Sequence, residues 1–456
     1  MKPIALFILI FLEIPFASHS QSDSLVIRSI YDEALVHGEA YQNLHYLCKN
    51  IGARLSGSDA SYKAVYWGEN LMKSYNFDRV FLQEVMVPVW IRGNEKLEIE
   101  NLGEVNVLAL GGSVSTDGAL EGEIIEVTKF EDTKAMDPDV FRDKIIFFNE
   151  AMDPRFISTF RAYGACSNQR YAGANRAGEL GAKAALVRSL GLGKDSYPHT
   201  GSMGYREGVT KVPGAAIGTE DAFRLSQLLS KNKVNAVLSL DCESREDTTS
   251  FNVICEIKGS EYPEKIILVG GHLDSWDVGE GAHDDGAGVV QSLEVLRILK
   301  KLNIKPRHTI RCVWFMNEEN GNRGGKEYAR VAKEKNIEHV AAIETDRGGF
   351  SPRGFDYDGE NEFILDQFQS WKALLEPYGL HQFRRGYSGV DIRPLRDDKI
   401  ALFGLSPDSQ RYFKYHHTAA DVFEAVDERE LQLGAASMAS LVYLIDKYGF
   451  PQAIKD

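Results

Sequence analysis

From residue 251 onward the chain alternates short apolar runs with stretches of helical period, and few folds accommodate that alternation. The runs "NVICEIKG", "KIILVGG", "TIRCVWFMNEE" and "HVAAIETD" read as strands. Between them, "AGVVQSLEVLRILKKL" reads as a helix with Val289, Val290, Leu293, Leu296 and Leu299 along one side, and "GGKEYARVAKEK" as a second helix. The last stretch, "ERELQLGAASMASLVYLIDKYG", is helical as well. Units of this kind predict an α/β fold, a mixed and mostly parallel sheet covered by helices on both faces.

The remainder divides around that domain. Residues 21–105 hold a helical stretch followed by the strand-like "FDRVFLQEVMVPVWIRG", and predict the first part of the same domain. Residues 106–245 differ in texture, with short β-like runs ("GEIIEV", "KIIFFN", "AKAALV") separated by Gly, Asp and Pro, and predict an inserted β-rich module. Residues 246–456 then complete the main domain. Residues 1–20 carry Lys2, an apolar run interrupted by Glu13 and Pro15, and small residues at Ala17, Ser18 and Ser20. They predict a signal segment and a secreted or periplasmic chain without stable membrane insertion, a membrane-tethered form being the lesser alternative. Five cysteines without CxxC spacing assign no disulfide, and Cys255 and Cys312 read as buried thiols within apolar runs. A net charge of −14 argues against a nucleic-acid partner, which requires concentrated Lys and Arg.

Ligands of such sheets bind beyond the carboxyl ends of the strands. There the sequence places His272 and Asp274 after one strand, Glu318 and Glu319 after the next, and Asp346 after a third. A glycine-rich loop adds Asp284 and Asp285, and "FKYHHTAAD" adds His416, His417 and Asp421. Any one of these alone is more often a helix cap or a loop contact. Together, unpaired carboxylates converging on one crevice repel one another, and a divalent cation relieves the repulsion. Oxygen and imidazole ligands without thiolate suit Zn²⁺, with Co²⁺ or Mn²⁺ as alternatives. A single catalytic zinc takes three protein ligands and a water, so a set of five suits two ions about 3.5–4 Å apart that share one carboxylate.

As a set, "GGHLDSWD", "HDDGAG", "NEEN", "ETDRGG" and "YHHTAAD" resemble the five metal-site motifs of the co-catalytic di-zinc exopeptidases, the leucyl aminopeptidase and glutamate carboxypeptidase type. The resemblance covers essentially all of the chain after residue 20, including an insertion where many members carry a protease-associated domain. It implies that His272 and Asp346 bind one ion, that Glu319 and His417 bind the other, and that Asp284 bridges them. It further implies a cis peptide bond at Asp284–Asp285 and an Asp274 that orients the His272 imidazole. Glu318 is then the general base that takes a proton from the attacking water and returns it to the leaving amine, its side chain pointing opposite to Glu319 on an extended segment. In the motif His, Ser or Thr, two residues and an acid, His417 fits and His416 does not; His416 or Tyr415 is left to steady the oxyanion. His283 reads as a loop or pocket residue. "YSGVDIRPL" resembles the segment that shapes the substrate pocket, with Ser388, Asp391 and Arg393 as candidates.

Aminoacylase-like di-zinc enzymes fit less well, since their extra domain lies between the fourth and fifth ligands, whereas the insertion here precedes His272. The alternatives of another class are a single-zinc transferase of glutaminyl cyclase type and a non-catalytic receptor-like binding protein on the same fold. The expected partner is a dipeptide or short peptide, and the resemblance implies a homodimer. Arg347, Arg384, Arg385, Arg393 and Arg411 are the cations considered for a substrate carboxylate.

Overall fold

The computed structural model describes residues 16–450, and the signal segment expected at residues 1–20 lies outside the residues whose side chains are described. Three helices, α1 (Phe16–His37), α2 (Ala40–Tyr46) and α3 (Asp59–Ser74), lead to strand β1 (Arg79–Ile91). The chain then builds a second unit from β2 (Glu95–Ile99), β3 (Gly103–Val105), β4 (Val107–Ala109), β5 (Leu120–Val127), β6 (Ile145–Phe148), α4 (Thr159–Cys166), α5 (Asn168–Glu179), β7 (Ala184–Arg188), β8 (Gly214–Ile217), α6 (Thr219–Leu229) and β9 (Asn235–Leu240). It returns through β10 (Glu243–Ile257), β11 (Tyr262–His272), α7 (Ala287–Lys301), β12 (His308–Phe315), α8 (Arg323–Glu334), β13 (Glu338–Glu344) and β14 (Pro352–Tyr357). The last elements are α9 (Glu362–Ser370), α10 (Lys372–Leu375), β15 (Gln382–Arg385), β16 (Ala401–Pro407), α11 (Tyr412–Tyr415) and α12 (Glu428–Tyr448).

The main sheet has the order β1-β10-β12-β11-β13-β16-β14-β15. Its centre, β12-β11-β13-β16, is parallel, and its edges add antiparallel pairs, so the sheet is mixed as the alternating pattern predicts. All eight residues of β12 are buried because both faces are covered. Cys312 and Trp314 enter the core beneath α1, α3, α7 and α12, while Val313 and Phe315 enter the core beneath α8. Gly68 of α3 lies against Trp314 so closely that an added Cβ would sit 2.4 Å from the ring, which leaves this position to glycine. Helix α7 departs from the one-sided pattern expected of it. Every residue from Ala287 to Leu299 is buried, because α12 packs on α7 across from the sheet. All five cysteines are free and buried, Cys255 facing Cys312 across β10 and β12.

The second sheet has the order β3-β2-β9-β5-β6-β7-β8-β4. It corrects the expected boundary at residue 106. Strands β2 and β3, assigned by sequence to the main domain, pair instead in the second sheet, where Glu95 stands opposite Leu240. The inserted unit therefore runs from β2 to β9, and its parallel centre is packed by α5 and α6, so it is α/β in build.

His339 of β13 is buried, with Nε2 2.8 Å from the Tyr328 hydroxyl, and burial with the nearby Arg311 charge pushes its pKa down to about 4. Between that value and the unfolded value near 6.5, the unfolded chain binds a proton that the folded chain refuses. The contribution is complete above pH 6.5 and lost as pH falls toward 4. In urea unfolding, the stability difference between wild type and His339→Gln should therefore shift toward the variant by about 1.4 kcal/mol per pH unit across that window. A difference that stays flat with pH refutes a neutral, buried His339.

Candidate metal centre

Strands β12, β11 and β13 lie side by side and parallel, so their carboxyl ends open on one edge of the main sheet. His272 is the last residue of β11, Glu318 and Glu319 follow β12, and Asp346 follows β13. Asp284 arrives on the loop before α7, and His417 on the turn after α11. His272 Nε2 stands 3.2 Å from Asp284 Oδ1 and 3.5 Å from Asp346 Oδ1. His417 Nε2 stands 3.3 Å from Asp284 Oδ2 and 3.1 Å from Glu319 Oε2. The two oxygens of Asp284 thus face two separate ligand groups. Asp284, Glu318, Glu319, Asp346, His416 and His417 all line one cavity of about 1050 Å³.

Three atoms of this cluster, His272 Nε2, Asp284 Oδ2 and Glu319 Oε1, are buried without a hydrogen-bond partner among the described residues. Orphaned donors of this kind, imidazole and carboxylate in two sets around one shared aspartate, are what a pair of cations requires. The electrostatics agree. Burial raises Glu318 and Glu319 well above the ordinary carboxyl range, and the other carboxylates of the cluster push them further. Burial opposes ionisation of Asp284 as well, but the imidazoles of His272, His417 and His416 hold it below the ordinary range. Burial likewise disfavours a charged His272, yet Asp284 and Asp346 beside it raise its pKa well above the usual value. His416 stacks on His417 with ring centroids 3.6 Å apart and reaches Asp284 Oδ2 only at 4.0 Å, the more distant of the two histidines.

Four groups fix the loops that carry these side chains. The Asp274 carboxylate accepts the backbone N–H groups of Asn317 (2.7 Å), Glu318 (3.0 Å) and Glu319 (3.3 Å). This corrects the expectation that Asp274 orients His272 directly: the imidazole Nδ1 bonds to the Asp274 backbone carbonyl at 2.9 Å, with the carboxylate 3.9 Å away. It also corrects the expected geometry of the glutamate pair. Glu318 and Glu319 sit on a tight turn stabilised by that carboxylate, with Asn317 in the left-handed region (φ 74°), and both side chains reach the cavity. Asp285 accepts His272 N–H and Gly288 N–H, tying the end of β11 to the start of α7, and the Asp284–Asp285 peptide bond is cis. Asp421 accepts the N–H groups of His283 (2.7 Å) and Asp284 (3.1 Å). The fully buried Arg54, which sequence reasoning missed, donates to the carbonyls of Leu273, Glu280 and Gly281, closing the loop between His272 and Asp284 from beneath. No motif spacing marks Arg54; only its place in the fold does.

The expected pocket residues fare differently. His416 lines the cavity. Tyr415 does not, since it packs on His283 and Phe350. Ser388 and Arg393 turn to Asp358, and Asp391 is buried with neither carboxyl oxygen partnered among the described residues, while Glu344 holds the amides of Val390 and Ile392 on either side of it. From that segment Tyr387 and Val390 line the cavity instead. The five arginines considered for a substrate carboxylate are all engaged, Arg347 and Arg384 with Asp356, Arg385 with Glu360 and Glu362, Arg393 with Asp358 and Arg411 with Glu430. Among the described residues, the cavity-lining arginine without a carboxylate partner is Arg170 of α5, whose Nε is buried and unbonded and whose Nη1 lies 3.2 Å from His417 Nδ1. It comes from the inserted unit, where no metal-site motif draws attention to it.

Comparison with known proteins bears on this geometry. The model of peptidase family M28 matches residues 252–442. Carboxypeptidase Q of Bos taurus is 32% identical over 428 residues, covering 92% of this chain and 88% of its own. Carboxypeptidase Q of Xenopus laevis is 33% identical over 429 residues, covering 92% and 89%. A crystal structure of a peptidase M28 precursor from Shewanella amazonensis superposes with a TM-score of 0.90 at 32% identity, covering 96% of this chain and all of that one. A zinc aminopeptidase from Bacillus subtilis shares the fold, with a TM-score of 0.64 at 21% identity over 92% of this chain and 96% of its own. With close to a third of residues identical over nearly the whole chain, and with the matched region spanning every strand end that carries the cluster, the chain belongs to peptidase family M28 and is a hydrolase of peptide bonds.

Proposed function

We propose that the protein is a secreted di-zinc exopeptidase that cleaves dipeptides or short peptides. The observation that carries this reading is the position of Asp284, one carboxylate oxygen turned to His272 and Asp346 and the other to His417 and Glu319, in a cavity that also holds Glu318. Two imidazoles and three carboxylates without thiolate suit zinc, with Co²⁺ or Mn²⁺ as substitutes, and the Bacillus subtilis neighbour is itself named a zinc enzyme. When bound, such ions lower the pKa of water and polarise the scissile carbonyl.

The chain's own residues supply the rest. Among the described residues, none takes up the Glu318 carboxylate in a hydrogen bond, and it faces the cavity beside the ligand cluster. There it takes the proton of the attacking water and hands it to the departing amine. His416, packed between Tyr163, Tyr412 and His417, is placed to donate to the oxyanion.

The rim of the cleft supports short substrates. There the inserted unit meets the main domain, Thr159 Oγ1 donating to the Ser409 carbonyl at 2.9 Å and Gln410 Nε2 to the Ile157 carbonyl at 2.9 Å. Arg170, uncommitted to any carboxylate and close to His417, supports recognition of a free terminal carboxylate at that end. The same reading takes the inserted unit as a protease-associated-like domain, places the protein outside the cytoplasm through its first twenty residues, and makes it a homodimer. No described helix is long and apolar enough to cross a membrane.

Glu318→Gln should keep two ions per chain by metal analysis and lose about 10²–10⁴-fold in kcat. Near-normal turnover would assign the base to another group. For Arg170→Met, KM should rise about 10–100-fold on dipeptides with a free carboxyl end and change little on their amides. Equal effects on both substrates would remove Arg170 from terminus recognition.

A further inference from the structure

We propose that the inserted unit completes one half of the metal centre: the Thr200 carbonyl orients His417, and Arg92 holds Thr200 in place. This rests on the reading of His417 as an ion ligand. An imidazole that presents Nε2 to a cation carries its proton on Nδ1 and needs an acceptor there. Two groups of the described chain stand beside His417 Nδ1, Arg170 Nη1 at 3.2 Å and the Thr200 carbonyl oxygen at 3.3 Å. A guanidinium can only donate, which leaves Thr200 as the acceptor. Thr200 also donates its own N–H to the His417 carbonyl at 3.0 Å, clasping a residue whose backbone lies in the left-handed region at φ 61°.

Thr200 belongs to the loop between β7 and β8 of the inserted unit and is fully buried. Its hydroxyl donates to the Ala109 carbonyl at 2.9 Å and accepts from Arg92 Nη2 at 3.2 Å. Arg92 stands where the chain crosses from β1 into the inserted unit. On the side of the main domain it grips the Asp277 carboxylate through Nε (2.9 Å) and Nη2 (2.5 Å). On the other side its Nη1 reaches Glu95 at 3.3 Å and also bonds to the Ala109 carbonyl. Trp276, next to Asp277, sets its ring against His417 with centroids 5.7 Å apart, and Gly111 packs on that indole with no room for a Cβ, which would come within 1.9 Å. The His417 side of the centre is therefore assembled from both units. The His272 side is not, because its Nδ1 finds the carbonyl of Asp274 two residues along the same loop.

That asymmetry gives the test. In the full-length protein, zinc affinity is measured by competition with a chromophoric chelator, with Arg92→Met introduced into His272→Ala and into His417→Ala. In the His272→Ala background, where the His417 side remains, Arg92→Met should weaken zinc binding about 10-fold or more. In the His417→Ala background it should change affinity less than about 3-fold, the two substitutions then being uncoupled. Thr200→Val, which keeps the side-chain shape and removes the hydroxyl, should act in the same direction with a smaller amplitude and serves if Arg92→Met fails to fold. Equal weakening in both backgrounds, or in neither, overturns the proposal. A wild-type chain that binds fewer than two zinc ions would instead overturn the functional reading on which it rests.

Discussion

The structure depends on a repulsion. Asp284, Glu318, Glu319 and Asp346 meet at the carboxyl edge of three parallel strands, Asp284 and Glu319 buried and Glu318 and Asp346 half-buried on the same cavity, with Asp285 behind them. Desolvation and mutual charge both act against their ionised forms. Imidazoles relieve part of this, as the depressed pKa of Asp284 beside His272 and His417 shows. Among the described residues, His272 Nε2, Asp284 Oδ2 and Glu319 Oε1 stay buried without a hydrogen-bond partner.

Around that cluster, the polar groups that make no contact with the cavity carry the geometry. Asp274, Asp285 and Asp421 each spend a carboxylate on backbone N–H groups of the segments bearing Glu318, His272 and Asp284, and Arg54 closes the same loops through their carbonyls. Carboxylates and a guanidinium used against backbone groups hold these loops firmly, since each makes two to four directional bonds at once. These loops are thus tied by polar bonds, while the hydrophobic cores on either face of the sheet set the direction and spacing of the strands.

The inserted unit acts on the same centre from outside. It narrows the cleft at Ile157–Thr159, brings Arg170 to the cavity and lays Thr200 against His417. An element that looks in sequence like an appended module is thus continuous with the site it covers. Its junctions combine directional polar contacts, those of Arg92 with Asp277 and Thr200, with a buried apolar cluster in which Met152, Ala162, Cys166 and Leu190 pack on Phe350, Tyr412 and Phe413.

The α/β class and the gathering of His272, Asp284, Glu318, Glu319, Asp346 and His417 were legible from the chain alone, because strand period is local and acidic and imidazole residues spaced along successive strand ends are visible as motif order. Tertiary structure decided what depends on partners distant in sequence. It moved β2 and β3 into the second sheet, since a strand's sheet is chosen by its neighbours and not by its own alternation. It buried α7 on all sides, because α12, which starts 141 residues after α7 does, covers it. It turned Asp274 from the imidazole to three amides and Tyr415 away from the cavity, and it singled out Arg54, Arg92, Arg170 and Thr200. For these residues the chemistry is ordinary and the position is everything: a guanidinium or a carbonyl acquires a role only from what the folded chain sets within about 3 Å of it.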